Sequence, residues 1–276
     1  MIDPRLLYAL VKKEFLDGVR NKWIIGVTLI FLVFSLVMSY FGAASRGDVG
    51  FQGFRGTALL MGGTSSFLVP ILALMVGYAS VAGEREQGSL GLLLSTPLTR
   101  LELLLGKFLG LTAILGVAIL AGFGIAGVVV AATAGTAWWD AYLSSLGATL
   151  LLGAAFVAVA LLFSSLLQKR STALGAAVFV WFFFAIIYSV ILFGAYVASG
   201  GALPTDPTQP FVLPDWYWAL QLANPTQAFG IYVDGAFSSS GEHPGFVTPV
   251  TAAAVLLAWV AVPLTVTYLR FRTRDV

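Results

Sequence analysis

The sequence predicts an all-α polytopic membrane protein with six transmembrane helices, an amphipathic interfacial helix at the N-terminus, and both termini in the cytoplasm. Three observations predict this fold: the composition, the lengths of the apolar stretches, and the distribution of lysine and arginine. Hydrophobic residues make up 59% of the 276-residue chain and charged residues only 10%, against about 25% charged residues in soluble proteins. Because a soluble domain of this size cannot hide so much apolar surface, we expect it to lie in lipid.

Six apolar stretches are each long enough for the roughly 20 residues that a helix needs to cross a bilayer. Each is predicted to be helical, because backbone amide groups in hydrocarbon must be hydrogen-bonded within their own segment. We interpret the whole chain, 1–276, as one transmembrane domain whose spans cover residues 23–41, 58–81, 108–134, 141–167, 172–198 and 247–269.

Lysine and arginine indicate how the spans are oriented. All of the 15 except Arg46 and Arg55 fall in the N-terminal arm, the second and fourth connections, or the C-terminal tail. These segments lie on one side of the six predicted spans, and positive charge marks the cytoplasmic side of a membrane protein. The long fifth connection, 199–246, contains no lysine or arginine, so we expect it to be external.

Residues 4–21 precede the first span and have the pattern of an amphipathic helix. At 100° per residue one face carries apolar side chains and the opposite face carries charged ones: Leu7, Tyr8, Val11, Phe15 and Val19 against Lys13, Asp17 and Arg20. We expect this helix to lie along the inner membrane surface, in contact with lipid headgroups. The alternative is a plain cytoplasmic extension of the first span.

The fifth connection, 199–246, is rich in proline and in interfacial aromatic residues. Its stretch "DWYWALQLANPTQAFGIYVDGAF" has the apolar content of a helix, and Trp216, Tyr217 and Trp218 suit the membrane–water interface. We predict one or two short helices at the outer surface. The alternative is a solvated loop that carries an aromatic belt.

Several chemistries are disfavoured by what the sequence lacks. No Asp, Glu, Lys, Arg or His falls in the middle of a predicted span, which disfavours an ion-coupled carrier. A carrier that holds Na⁺ by backbone carbonyls at a broken helix is not excluded by this observation. The chain has no cysteine and one histidine, His243, so no metal site is predicted. It contains neither a P-loop nor a hydrolase motif, and its net charge of +2 does not suggest a nucleic-acid partner.

The second connection concentrates the charges of the chain in "GEREQGSLGLLLSTPLTRLELLLGKF". Glu84, Arg85 and Glu86 are expected to stay hydrated or to pair with a partner, because burying them in lipid is costly. After Gly88 comes an apolar patch too short to cross a membrane. Pro97 stops this element, and Thr99 with Glu102 matches a capping box ahead of the third span. These signals favour a short helix and a turn that transmit force from a soluble partner to the third span. The alternative is an ordinary polar loop with a capped helix.

This stretch, the basic segment "LVKKEFLDGVRNKW", the six spans and "ANPTQAF" before the sixth span together resemble the ABC type-2 permease family. The resemblance implies a type-2 exporter-like fold in the cytoplasmic membrane of a bacterium or archaeon. It also implies a subunit that is not itself an enzyme, pairs with a second copy, and docks on a separate cytoplasmic P-loop ATPase. ATP and Mg²⁺ would bind to that ATPase, and this chain would hold no cofactor.

In the family the cytoplasmic connection forms the coupling helix, which maps here onto residues 83–102. The resemblance therefore assigns contact with the ATPase to one set of residues in this connection: Glu84, Arg85, Glu86, Gly88, Ser89, Leu92, Leu93, Pro97 and Arg100.

Within the family the chain most resembles the permeases that serve maturation of nitrous oxide reductase. That likeness implies a periplasmic accessory protein and a role in supplying sulfur or copper to a periplasmic copper enzyme. Because the chain lacks cysteine and has a single histidine, we favour mechanical transmission to the external partner over passage of copper. The alternatives are a non-transporting membrane anchor or signalling partner and, less favoured, a secondary carrier.

Overall fold

The computed structural model describes residues 3–20, 22–41, 50, 53–88, 98–201, 213–237 and 243–273. Every regular element within these ranges is helical. A five-residue π-helix, Phe183–Ile187, joins the seventh and eighth α-helices. In chain order the α-helices are α1 (Pro4–Arg20), α2 (Lys22–Phe41), α3 (Phe54–Gly77), α4 (Ala82–Glu86), α5 (Arg100–Ala134), α6 (Trp139–Leu166), α7 (Arg170–Phe182), α8 (Tyr188–Ala198), α9 (Asp215–Ala223), α10 (Pro225–Phe237) and α11 (Pro249–Thr273).

Five helical segments of the described residues are long and apolar enough to cross a membrane by length and composition, and they coincide with the second to sixth predicted spans. They are Phe54–Glu86, Arg100–Ala134, Trp139–Leu166, Arg170–Ala198 and Pro249–Arg272. The first predicted span, 23–41, falls within the 20-residue helix α2. The all-helical membrane fold is thus confirmed, whereas the crossing by the first predicted span stays a prediction.

The centre of the fold is α6, which packs against α3, α5, α10 and α11. The most apolar window of α6 is 67% buried, compared with 17% in the α7–α8 segment. Large apolar side chains stay exposed along α7 and α8, such as Phe179 and Val190, which is what a lipid-facing helix requires. The fold therefore has one protein-covered helix surrounded by partly lipid-exposed ones.

The N-terminal helix α1 packs along α5 through a face that includes Leu10 and Glu14. Tyr8 and Val19 are exposed, whereas Leu10 and Glu14 are buried. The reason is a close approach at Gly106 and Gly110 of α5. A Cβ atom on Gly106 would lie 2.4 Å from Leu10 Cδ2, and one on Gly110 would lie 2.6 Å from Glu14 Cβ. The small residues of α5 thus select which side of α1 faces the protein.

Candidate functional site

Helix α4 follows α3 after a break at residues 78–81. Gly77 ends α3 against α6, where an added Cβ would lie 2.6 Å from Ala160 Cβ. At the end of the break, the backbone amides of Val81 and Ala82 both donate to Ser164 Oγ of α6 at 3.0 Å. Since the first amides of a helix have no partner within the helix, Ser164 fixes the point where α4 begins.

A buried ionic cluster lies beside this break and connects α1, α4 and α5. Lys107 of α5 is only 1% exposed. Its Nζ donates to Glu84 Oε1 at 2.7 Å, to Glu14 Oε1 at 3.1 Å and to the Ser80 carbonyl at 3.0 Å. An ammonium group has three donors, and here each of them has an acceptor. The lysine therefore holds two carboxylates from separate helices in one place.

Lys13 forms the more exposed edge of the same cluster. Its Nζ lies 3.1 Å from Glu14 Oε1, 3.6 Å from Asp17 Oδ2 and 3.7 Å from Glu84 Oε1, and its side chain is 46% exposed. Burial lowers the pKa of Lys13, but Glu14, Glu84 and Asp17 together outweigh this effect and raise the pKa above its ordinary value. We call the five groups Lys13, Glu14, Asp17, Glu84 and Lys107 the inner ionic junction.

The other two charges of α4 bind the connection between α6 and α7. Arg85 Nη1 donates to the carbonyl oxygens of Leu167 at 3.1 Å and Ser165 at 3.4 Å, which are end carbonyls of α6. Glu86 Oε2 accepts a hydrogen bond of 2.9 Å from the Arg170 amide at the start of α7. Helix α4 is therefore attached to the ends of two neighbouring helices.

The described part of the connection ends at Gly88 and resumes at residue 98. Gly88 has φ +73°, a left-handed conformation that glycine adopts without steric cost. Ser89, Leu92, Leu93 and Pro97 lie outside the described residues.

The entry into α5 is fixed by the two bonds of a capping box. The amide of Glu102 donates to Thr99 Oγ1 at 3.2 Å, and Glu102 Oε2 accepts from the Thr99 amide at 2.7 Å. The second carboxylate oxygen of Glu102 accepts from the Asp3 amide at 2.6 Å. Arg100 Nη1 donates to the Phe271 carbonyl near the end of α11. Both ends of the connection are thus bound to the body of the protein.

The environment of these charges agrees only in part with the expectation that they are hydrated or paired with a partner. Glu86 is exposed, whereas Glu84 and Arg85 are partly buried, and all three bind groups of the same chain. The reason is geometric: the break at residues 78–81 directs α4 toward the ends of its neighbours. Glu14 and Lys107 were missed as site residues. The available signal was a single lysine between the apolar runs of "LLLGKFLG".

A second junction lies where α9 meets α10, and it is built from neutral groups. Asn224 is completely buried. Its Nδ2 donates to the Phe184 carbonyl of the π-helix at 3.0 Å, and its Oδ1 accepts from the Thr226 amide at 2.9 Å. Trp259 Nε1 donates to the Ala223 carbonyl at 3.0 Å, and Tyr188 Oη donates to the Leu220 carbonyl at 2.5 Å. We call this set the outer neutral junction; it places "ANPTQAF" against the π-helix.

The described residues contain no group of three or more His, Cys, Asp or Glu side chains that could hold a metal ion. His243 instead contacts the indole ring of Trp218, with ring centroids 4.4 Å apart.

Comparison with known proteins agrees with this architecture. The sequence model of the "ABC-2 family transporter protein" family matches residues 8–276. A protein of Stutzerimonas stutzeri named "Probable ABC transporter permease protein NosY" is 35% identical over 281 residues, covering 97% of this chain and 98% of the relative. A protein of the same name from Pseudomonas aeruginosa is 35% identical over 283 residues, covering 98% and 99%. The predicted family resemblance is confirmed, and the chain belongs to the ABC-2 transporter family as a multi-pass, NosY-like permease of the cytoplasmic membrane.

Proposed function

We propose that this permease couples ATP hydrolysis by a separate cytoplasmic P-loop ATPase to work across the membrane, through contacts made by residues 83–102. The observation that carries the proposal is the inner ionic junction. It ties Glu84, which lies at the start of the predicted coupling segment, to α1 and α5 through Lys107. ATP and Mg²⁺ would bind to the ATPase, and this chain supplies the surface on which it acts.

The bonds at both ends of the connection support this function. A displacement of the connection reaches α4 on one side and the Thr99–Glu102 cap of α5 on the other. Separating Lys107 from its carboxylates would leave buried charges without partners, at a cost of several kcal/mol. The junction therefore moves as a unit, and α1, α4 and α5 move with it.

The orientation that we propose has both termini in the cytoplasm and α2 as the first of six spans. It is supported by the concentration of lysine and arginine in the segments on one side of the predicted spans. The inner ionic junction and the ends of α6 and α11 then lie on the side from which a cytoplasmic ATPase approaches. A second copy of the chain would complete the membrane unit.

We further propose that the output is mechanical transmission to a periplasmic accessory protein rather than passage of copper. The outer neutral junction connects the 199–246 connection to the π-helix between α7 and α8, so movement of that segment would displace α9 and α10. The NosY name of the relatives motivates a role in maturation of the copper enzyme nitrous oxide reductase. The absence of cysteine from the sequence removes the thiolates on which Cu(I) conduits depend.

The first experiment tests the coupling to the ATPase. The chain is co-expressed with its candidate ATPase, purified in mild detergent, and assayed for ATP hydrolysis. We expect a complex of two permeases and two ATPases, and we expect the double variant Leu92→Asp, Leu93→Asp to lose the ATPase because charge replaces the apolar patch. Lys12→Asp, on an exposed part of α1, is the control and should keep it. Full ATPase recovery with the double variant would refute the coupling role.

A second experiment separates transmission from transport. The complex is reconstituted in proteoliposomes with the accessory protein, and both copper flux and the conformation of that protein are followed. An ATP-dependent change in the accessory protein without flux supports transmission. Gradient-driven uptake without ATP would instead identify a secondary carrier.

A further inference from the structure

A cavity of about 330 Å³ opens between α3, α9 and α10, and none of its lining residues belongs to the inner ionic junction. Gln227, Gly230 and Asp234 line its wall on one face of α10, and Gly62 and Gly63 of α3 line the opposite side. Small-molecule sites occupy about 300–1,000 Å³. The cavity thus has the size of a site for a small ligand or for one side chain of another protein.

The polar lining of the cavity carries a net negative charge. Asp234 carries the one formal charge among the described lining residues at neutral pH, and it is negative. Gln221 Oε1 is buried and accepts no hydrogen bond within the described part of the chain, whereas Gln221 Nε2 donates to Gln227 Oε1 at 3.4 Å. Because Gln221 Oε1 has almost no accessible surface, a ligand in the cavity meets the exposed carboxylate of Asp234 instead.

An aromatic pair completes the wall. Trp218 and His243 meet at an interplanar angle of 70°, and both line the cavity. The face of an indole ring attracts a cation that comes within about 6 Å. The aromatic surface and the carboxylate therefore favour the same kind of ligand.

We propose that this cavity binds an organic cation with N–H donors, an alkylammonium or a guanidinium group. The carboxylate of Asp234 supplies both the charge and the acceptor oxygens, and Trp218 supplies the aromatic face. The group comes either from a free small molecule or from a lysine or arginine side chain of another protein. The proposal does not depend on coupling to an ATPase.

The test is isothermal titration calorimetry on the full chain in lipid nanodiscs, with agmatine and acetyl-Gly-Arg-Gly-amide as probes. We expect saturable binding of at least one probe, and about a tenfold or greater loss of affinity in Asp234→Asn because a charge-assisted hydrogen bond is removed. Asp215→Asn removes another exposed carboxylate of the same connection and should leave binding unchanged. Tighter binding of agmatine points to a free ligand, and tighter binding of the peptide points to a protein side chain.

A second variant fills the cavity without touching its polar groups. A Cβ atom on Gly230 meets nothing within 4 Å, so Gly230→Leu projects into open space and should abolish binding while circular dichroism stays unchanged. Gly194→Leu, on an exposed site of α8 with equal room, is the control. Lack of saturable binding of both probes to the native chain, or unchanged affinity in Asp234→Asn, would overturn the proposal.

Discussion

The inner ionic junction and the outer neutral junction both hold neighbouring helices together, but they do so with different chemistry. Each lies at an interruption of a long helix, the break at residues 78–81 or the π-helix Phe183–Ile187. The inner junction uses two lysines and three carboxylates, and the outer one uses amide, hydroxyl and indole groups. Salt screens exposed ion pairs much more than buried ones, and hydrogen bonds between neutral groups carry no net charge to screen. The exposed Lys13 edge of the inner junction should therefore respond to salt, whereas the outer junction should not.

The largest effect is expected from Lys107→Met. Removing the ammonium group leaves Glu14 and Glu84 without their buried cation and with the half-exposed Lys13 beside them, and breaking a buried ion pair in this way costs about 3–5 kcal/mol. Thermal unfolding of the purified protein in detergent should show a large fall in melting temperature.

The matched control for Lys107→Met replaces all three charges. The triple variant Lys107→Met, Glu14→Gln, Glu84→Gln should recover most of the lost stability, because neutral groups of similar volume replace the ions. If the triple variant were as unstable as the single one, packing rather than charge would account for the loss. The inner junction would then not differ from the outer one in the way that we describe.

The second effect, from Asn224→Ala, tests the outer neutral junction. The substitution leaves the Phe184 carbonyl and the Thr226 amide without the partners that Asn224 provides, and each unsatisfied buried group costs about 1–3 kcal/mol. We expect a lower melting temperature with the same salt dependence as the native chain. Thr133→Val removes an exposed hydroxyl that bonds only within α5 and should change little. A loss of stability that varies strongly with salt would contradict the neutral character of this junction.

The two junctions also differ in how far the sequence predicts them. The charges of "GEREQG" and the Thr99–Glu102 pair are visible in the sequence, but the partners of the charges are not. Lys107 stands one residue before a predicted span, where a lysine normally reaches water, and only the packing at Gly106 and Gly110 buries it. The hydrophobic side chains of α1 predict which way the helix faces, but they do not predict that Glu14 is buried.

The outer junction is harder to predict, because it joins residues about 40 positions apart in the chain. "FFAII" contains neither proline nor glycine, so nothing local signals a π-helix. Asn224 reads as a turn residue before Pro225, and its bond to the Phe184 carbonyl appears only in the folded chain. Local patterns predicted the helices, whereas the contacts that join them depend on tertiary packing.

The smallest effect concerns Lys13, the exposed edge of the inner ionic junction. The carboxylates around it raise its pKa in the folded state above the value near 10.4 of an unfolded chain. A raised pKa means that the folded state binds the proton more tightly, so the stabilisation is fully present below the unfolded pKa and is lost as the pH rises through the folded pKa. We therefore expect Lys13→Gln to lower the melting temperature slightly at neutral pH, and the difference from the native chain to disappear at strongly alkaline pH.

Melting curves of both proteins over an alkaline pH series measure this difference, with Lys12→Gln as a control on an exposed neighbouring position. A difference that grows with alkaline pH would have the opposite sign and would place Lys13 outside the junction.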